Sequence, residues 1–356
     1  MLYIGVDLHK NRTRMVVMNQ EGEILERKTI ISDADSFREA FSKFPKGEAE
    51  IAMEATSNWY WASDVFEDLG LKLHLANPHR VRIVAESTVK TDTNDAYALA
   101  HLLRLKFLPK SRITPRDVRL LRERLRCRIA LVRERTGVKG RIHALLGKCG
   151  IRPPEFSDLF GKAGREWMGR LKFDTEYRLN LDSHLRLIDF LTEEIKKLDD
   201  WLRRKVSKNE DVRLLMSIPG IGIFSAALIL AELGDINFFR DRRRLSSFIG
   251  VVPGARNSGD VRQDGPLKAD SNRYVRWVLA EGASKAKLVV PAWRDLYNRV
   301  HAGNDKRRSK ARVAVMHKMA CAIWRALKTR EPFDPYHNCP QIENKNGELV
   351  GGPGLK

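Results

Sequence analysis

Apolar residues fall in short unbroken runs over the first third of the chain and at three-to-four-residue steps over most of the rest. Leu2 to Val6, Thr13 to Met18 and Ile24 to Ile31 read as three consecutive strands, and Asn19-Gln20-Glu21-Gly22 turns the second into the third as in a meander. A helix is expected around Ser36 to Phe44, then a strand ending at Glu54, a helix from Asn58 to Leu69 and a strand from Lys72 to Ala76 closed by Asn77-Pro78. A last helix runs from about Thr91 to Leu105. Three antiparallel strands followed by alternating helices and strands is the order of a ribonuclease-H-like α/β domain.

Beyond residue 112 the period changes. Leu121, Leu125, Ile129 and Val132 mark a helix from about Val118 to Leu146, and Leu185, Ile188, Ile195, Leu198 and Leu202 mark another from about Glu176 to Val206. Gly150-Ile151-Arg152-Pro153-Pro154 breaks the pattern between them, as expected of an antiparallel coiled-coil arm or a dimerisation element. Residues 210 to 330 read as mostly helical, and the proline- and glycine-containing tail after Glu331 reads as poorly ordered. The expected organisation is therefore a multidomain α/β plus α protein: an α/β domain over 1–112, a helical arm over 113–207, a helical domain over 208–330 and a tail over 331–356.

Charge adds a partner. The 356 residues carry 65 Lys and Arg against 45 Asp and Glu, a formal net charge of +20, and such an excess favours a polyanion. The first long helix holds much of it, with Arg122, Arg126 and Arg133 among nine arginines between Arg116 and Arg141, and reads as a phosphate-facing stripe. The four cysteines are scattered without ligand spacing, which argues against zinc or a disulfide framework and fits a reducing cytoplasm. The N-terminus enters a strand without a signal region, and no apolar run is long enough to span a membrane.

Against this basic background four acids stand out. Asp7 and Glu54 interrupt strands that read as buried, while Asp92 and Asp95 sit three apart where a helix begins, in Lys90-Thr91-Asp92-Thr93-Asn94-Asp95-Ala96. Carboxylates so placed can converge into a hard-oxygen site for Mg²⁺, or Mn²⁺, suited to phosphoryl transfer on nucleic acid. Taken singly, each has an ordinary reading as a cap or surface acid. Ile218-Pro219-Gly220-Ile221-Gly222 before a small-residue helix resembles the turn of a helix-hairpin-helix element, whose glycine amides meet a DNA phosphate. Ser258 beside Gly259 lies in a loop ringed by Arg256, Arg262, Lys268, Arg273 and Arg276. Composition and spacing alone make it no more than a turn serine.

Taken together, Gly5-Val6-Asp7, Met53-Glu54-Ala55-Thr56, Lys90 to Ala96, Ile218 to Gly222 and Gly250-Val251-Val252-Pro253 leading to Ser258-Gly259 resemble the DEDD transposases of the IS-one-ten insertion-sequence family, relatives of the Piv-type DNA invertases. That resemblance implies a RuvC-like domain whose Asp7, Glu54, Asp92 and Asp95 bind Mg²⁺, and a C-terminal transposase domain whose Ser258 attacks DNA to form a covalent phosphoserine link. It further implies double-stranded DNA at the element ends and target, an element-encoded guide RNA, and a homo-oligomer in which the tetrad of one subunit is completed by the serine of another. Where the family usually shows a Lys and then Gly-Asn after the serine, this chain reads Lys268-Ala269-Asp270-Ser271-Asn272. A RuvC-type nuclease using water and a non-catalytic nucleic-acid-binding protein are the alternatives.

Overall fold

The computed structural model describes residues 1–78, 80–81, 92–258, 261–267, 271–335, 342–343 and 349–350, with backbone alone at 92–94, 253–258, 261–267, 342–343 and 349–350. The chain divides into two compact units, Met1–Arg116 and Asp117–Lys356.

In the first unit, β1 (Leu2–Asp7), β2 (Arg12–Met18) and β3 (Ile24–Ile31) are followed by α1 (Ala34–Phe41), β4 (Ala49–Glu54), α2 (Trp59–Asp68), β5 (Lys72–Ala76) and α3 (Asp92–Arg104). The sheet order is β3-β2-β1-β4-β5, with β1 to β3 antiparallel and β4 and β5 parallel to β1. The elements follow the chain order that the hydrophobic pattern predicts, three antiparallel strands and then alternating helices and strands, and the sheet they build is mixed. Side chains alternate across a strand, and the two faces have different covers. Ile4, Val6, Ile51 and Met53 pack with Phe37, Phe41 and Phe66 from α1 and α2. Ala52 and Ala76 pack on the opposite face with Leu99 and Leu103 of α3. Asp33 caps α1 by accepting from the Ser36 amide at 2.7 Å.

Two long helices, α4 (Arg116–Lys148) and α6 (Thr175–Val206), open the second unit. Leu125 and Ile129 of α4 share a core with Leu202 and Val206 of α6, while Val138, Ile142 and Leu146 meet Leu181, Ile188 and Leu191. The pair therefore runs antiparallel. Its distal end is closed by Leu159 and by Met168 of α5 (Lys162–Arg170), and its proximal end belongs to the core of the helices that follow.

Those are α7 (Glu210–Met216), α8 (Ile223–Leu233), α9 (Arg242–Ile249), α10 (Arg273–Val289), α11 (Pro291–His301) and α12 (Arg308–Thr329). Ala226 to Ile229 of α8 are all buried, as a helix apolar on every side must be. Between α9 and α10 the expected loop is a two-stranded hairpin, β6 (Pro253–Ser258) and β7 (Val261–Leu267). No described helix is long and apolar enough to cross a membrane. Of the tail, 336–341, 344–348 and 351–356 lie outside the described residues.

Candidate active site and nucleic-acid interface

Parallel pairing of β1 with β4 aligns Val6 with Met53, so Asp7 and Glu54 follow at the same level on neighbouring strand ends. Both alternate with residues of the core between the sheet and α1 and α2, which puts them on the face covered by α3. Gly5 lets α3 come close: a Cβ there would lie 1.8 Å from the Ala96 carbonyl oxygen and 2.7 Å from the Ala100 amide nitrogen. No other residue fits beneath that helix turn, and the contact brings Asp95, one residue before Ala96, over the strand ends.

The electrostatics record the convergence. Burial first, then the negative charges of Asp7 and Asp95, hold the Glu54 carboxyl above its ordinary range, with His9 acting in the opposite direction. His9 Nε2 lies 2.9 Å from Asp7 Oδ2, and the Asp7 side chain is only 13% exposed. Asp92 is the first residue of α3, and its side chain lies outside the described residues. Among the described residues no three His, Cys, Asp or Glu side chains form a closed metal-holding group; charge–charge coupling reaches farther than coordination distance. The carboxylates of Asp7, Glu54 and Asp95 are hard-oxygen donors, the type that a divalent cation of the Mg²⁺ class takes. His9 was not anticipated, although its place two residues beyond Asp7 was there to be read.

The arginine stripe needs correction. Arg122 is buried and donates to the Ala231 carbonyl through Nε at 3.2 Å and a terminal nitrogen at 2.8 Å. Arg126 forks onto buried Glu232, at 2.9 Å to Oε1 and 3.1 Å to Oε2, and lies over the Tyr274 ring. These two arginines hold α4 to the C-terminal end of α8 and do not face a phosphate. Arg119 is also buried, and Arg128 pairs with Asp199 at 2.5 Å. Arg133 and Arg141 are exposed.

In the Pro-Gly-x-Gly turn the two glycines differ. Gly220 has φ +85°, and a Cβ on it would lie 2.3 Å from the Gly282 carbonyl oxygen, so close packing against α10 demands glycine. Gly222 is the extended N-cap of α8, without a side-chain cap, and a Cβ there would meet nothing within 4 Å. Of the two, Gly222 has open space where a side chain would stand.

Ser258 ends β6 and pairs across the hairpin with Val261; Arg256 pairs with Gln263 and Arg262 with Asn257. Their side chains, and all of Lys268, lie outside the described residues. The hairpin base is fixed where the Asn272 amide donates to the Phe248 carbonyl at 2.9 Å. Asn272 also caps α10, its Oδ1 accepting from the Tyr274 and Val275 amides at 3.1 and 3.0 Å, and its Nδ2 donates to Glu232 Oε2 at 2.9 Å. Arg276 is half-buried and donates to Ser271 Oγ at 3.0 Å, whereas Arg273 is exposed. Asn272 ends the stretch in which the family shows Gly-Asn, whereas Glu232 has no local motif that would have singled it out.

A family model described as a DEDD transposase matches residues 4–150, and one for transposases of the IS116/IS110/IS902 family matches residues 212–298. The transposase for insertion sequence element IS1111A of Coxiella burnetii is 26% identical, over 93% of this chain and 90% of its own length. The transposase for insertion sequence element IS1328 of Yersinia enterocolitica is 27% identical, over 72% of this chain and 75% of its own. The solved Thermus thermophilus RuvC structure aligns over 31% of this chain and 100% of its own at 14% identity with a TM-score of 0.24; the fold assignment rests on strand order, not on that likeness.

Proposed function

The chain belongs to the DEDD transposases of the IS116/IS110/IS902 family, enzymes that cut and rejoin DNA, and we propose that it does so with a divalent cation held by Asp7, Glu54, Asp92 and Asp95 and with Ser258 as nucleophile. The observation that carries the metal reading is the level alignment of Asp7 and Glu54 on neighbouring parallel strand ends beneath the helix that bears Asp95, and the raised Glu54 carboxyl agrees with it. Bound there, Mg²⁺ or Mn²⁺ supplies Lewis-acid charge to the attacking and leaving oxygens. The protein orients the donors through the Gly5–Ala96 contact and steadies Asp7 through His9.

Ser258 Oγ forms a bond to phosphorus and gives up its proton, while the bond from phosphorus to the departing strand oxygen breaks and that oxygen takes a proton. Attack by a strand hydroxyl on the phosphoserine reverses the step and rejoins DNA. Arg256, Arg262, Lys268 and Arg273 hold the scissile phosphate in this reading. Membership of the family supports an element-encoded guide RNA and a homo-oligomer, dimer or tetramer, in which the acids of one copy serve the serine of another. The exposed Arg133 and Arg141 and the open Gly222 amide region supply phosphate contacts for such partners.

The test is a denaturant-stable protein–DNA adduct on element-end DNA. Asp7→Ala and Ser258→Ala each eliminate it, while Ser258→Ala retains DNA binding. Cleavage without an adduct in the unmodified protein would replace serine by water.

A further inference from the structure

A cavity of about 320 Å³ opens among α10, α11 and α12, lined chiefly by Ser284, Lys287, Tyr297, His301, Arg308 and Arg312. We propose that it binds one unpaired nucleotide of a nucleic-acid strand, the base against the Tyr297–His301 pair and the phosphate between Arg308 and Arg312.

None of the lining residues is acidic, and three carry a positive charge near neutral pH. Arg308 and Arg312 stand four apart on α12, where like charges repel unless an anion lies between them. Asp305, at the rim, bonds Arg308 at 2.8 Å. That pair is highly exposed on both sides and therefore weak enough for a phosphate to displace. Tyr297 and His301, one turn apart on α11, hold their rings 5.6 Å apart and within 13° of parallel. The Lys287 ammonium lies 3.5 Å from the Tyr297 ring centroid and fixes that ring by a cation–π contact. His301 Nε2 is buried without a hydrogen-bond partner among the described residues, with Asp305 Oδ1 3.6 Å away.

Shape selects the ligand. The space suits a single nucleotide, at the small end of ligand sites. A duplex keeps its base faces stacked inside and exposes only their edges in the grooves, so it could deliver a base to a ring in a recess only by unpairing and extruding it, at a cost of a few kcal/mol. A single strand can without that cost, and base–aromatic stacking with a nearby arginine is how such strands are held. All the residues used are distinct from the acids and from Ser258, so the inference stands apart from the serine-and-metal reading.

The experiment uses the full chain in EDTA, which removes chemistry, and a 2-aminopurine-labelled oligonucleotide, single-stranded or annealed, in deoxy and ribo forms. Arg312→Gln is expected to weaken single-strand binding roughly tenfold and to lower the salt slope by about 0.7, leaving duplex binding within about twofold. His301→Ala should weaken it by at least about fivefold and relieve 2-aminopurine quenching without changing the salt slope. The form that shows this pattern identifies the strand as DNA, RNA or either. Equal losses for single strand and duplex, or no loss in either variant, would overturn the assignment. So would competition by a free nucleoside monophosphate or inorganic phosphate with oligonucleotide binding unaffected by the variants.

Discussion

Glu54 folds into a place where its charge is unwelcome, between burial and the carboxylates of Asp7 and Asp95. A raised carboxyl pKa means that the folded state holds the proton more tightly than the unfolded chain, so stability falls as pH rises from the ordinary Glu range through the raised value and stays reduced above it. Glu54→Gln should therefore raise the metal-free melting temperature near neutral pH, with the gain vanishing in acid below the ordinary Glu range. Added Mg²⁺ should stabilise the native sequence more than the variant. A thermal melt across pH, with and without Mg²⁺, checks both, and a variant less stable at neutral pH would count against the crowded-acid account. Asp7 and Glu54 were legible because an acid that interrupts a buried strand is conspicuous. The importance of Gly5 was not, since only the approach of α3 to within 1.8 Å of its missing Cβ explains it.

The arginine-rich helix shows where reading by element stops. Periodicity located α4, because one face has to be apolar to reach the core, but it could not show that Arg126 meets an acid 106 residues later in the sequence. Arg126 supplies two of the hydrogen bonds on the buried Glu232 carboxylate, so Arg126→Gln should lower stability by about 1–3 kcal/mol, read by denaturant unfolding, with Asn272 and the Arg122 guanidinium still facing that charge. Arg133→Gln should leave stability within about 0.5 kcal/mol and reduce the salt slope of duplex binding by about 0.9 if Arg133 meets one phosphate. The glycine turn divides in the same way. Gly220→Ala meets both a positive φ and the Gly282 carbonyl and should destabilise by more than about 1 kcal/mol, whereas Gly222→Ala should cost less stability and act chiefly on DNA affinity. The β6–β7 hairpin escaped notice because Ala255-Arg256-Asn257-Ser258 and Val261-Arg262-Gln263-Asp264 offer no apolar alternation from which strands are ordinarily recognised.

At the scale of the molecule, each compact unit has apolar cores of its own, one around Phe37, Phe41 and Phe66 and one around Leu228, Leu279 and Met319. Residues 1–116 expressed alone should melt cooperatively and keep their Mg²⁺-dependent shift; a non-cooperative melt would show that the unit depends on the rest of the chain. The change from strand runs to helical spacing near residue 112 was legible in the sequence, whereas the sharing of one core by the proximal end of the long helical pair and the C-terminal helices was not, because it depends on contacts distant in sequence. The hairpin that carries Ser258 leaves α9 and returns to α10 across the hydrogen bond that the Asn272 amide donates to the Phe248 carbonyl. Antiparallel pairing lets a hairpin gain or lose whole residue pairs beyond such a closing bond, and variants one pair shorter or longer along β6 and β7 should therefore melt at the temperature of the native chain. Reach, the distance at which this chain presents its serine, becomes a quantity that insertion and deletion can tune without redesigning a core.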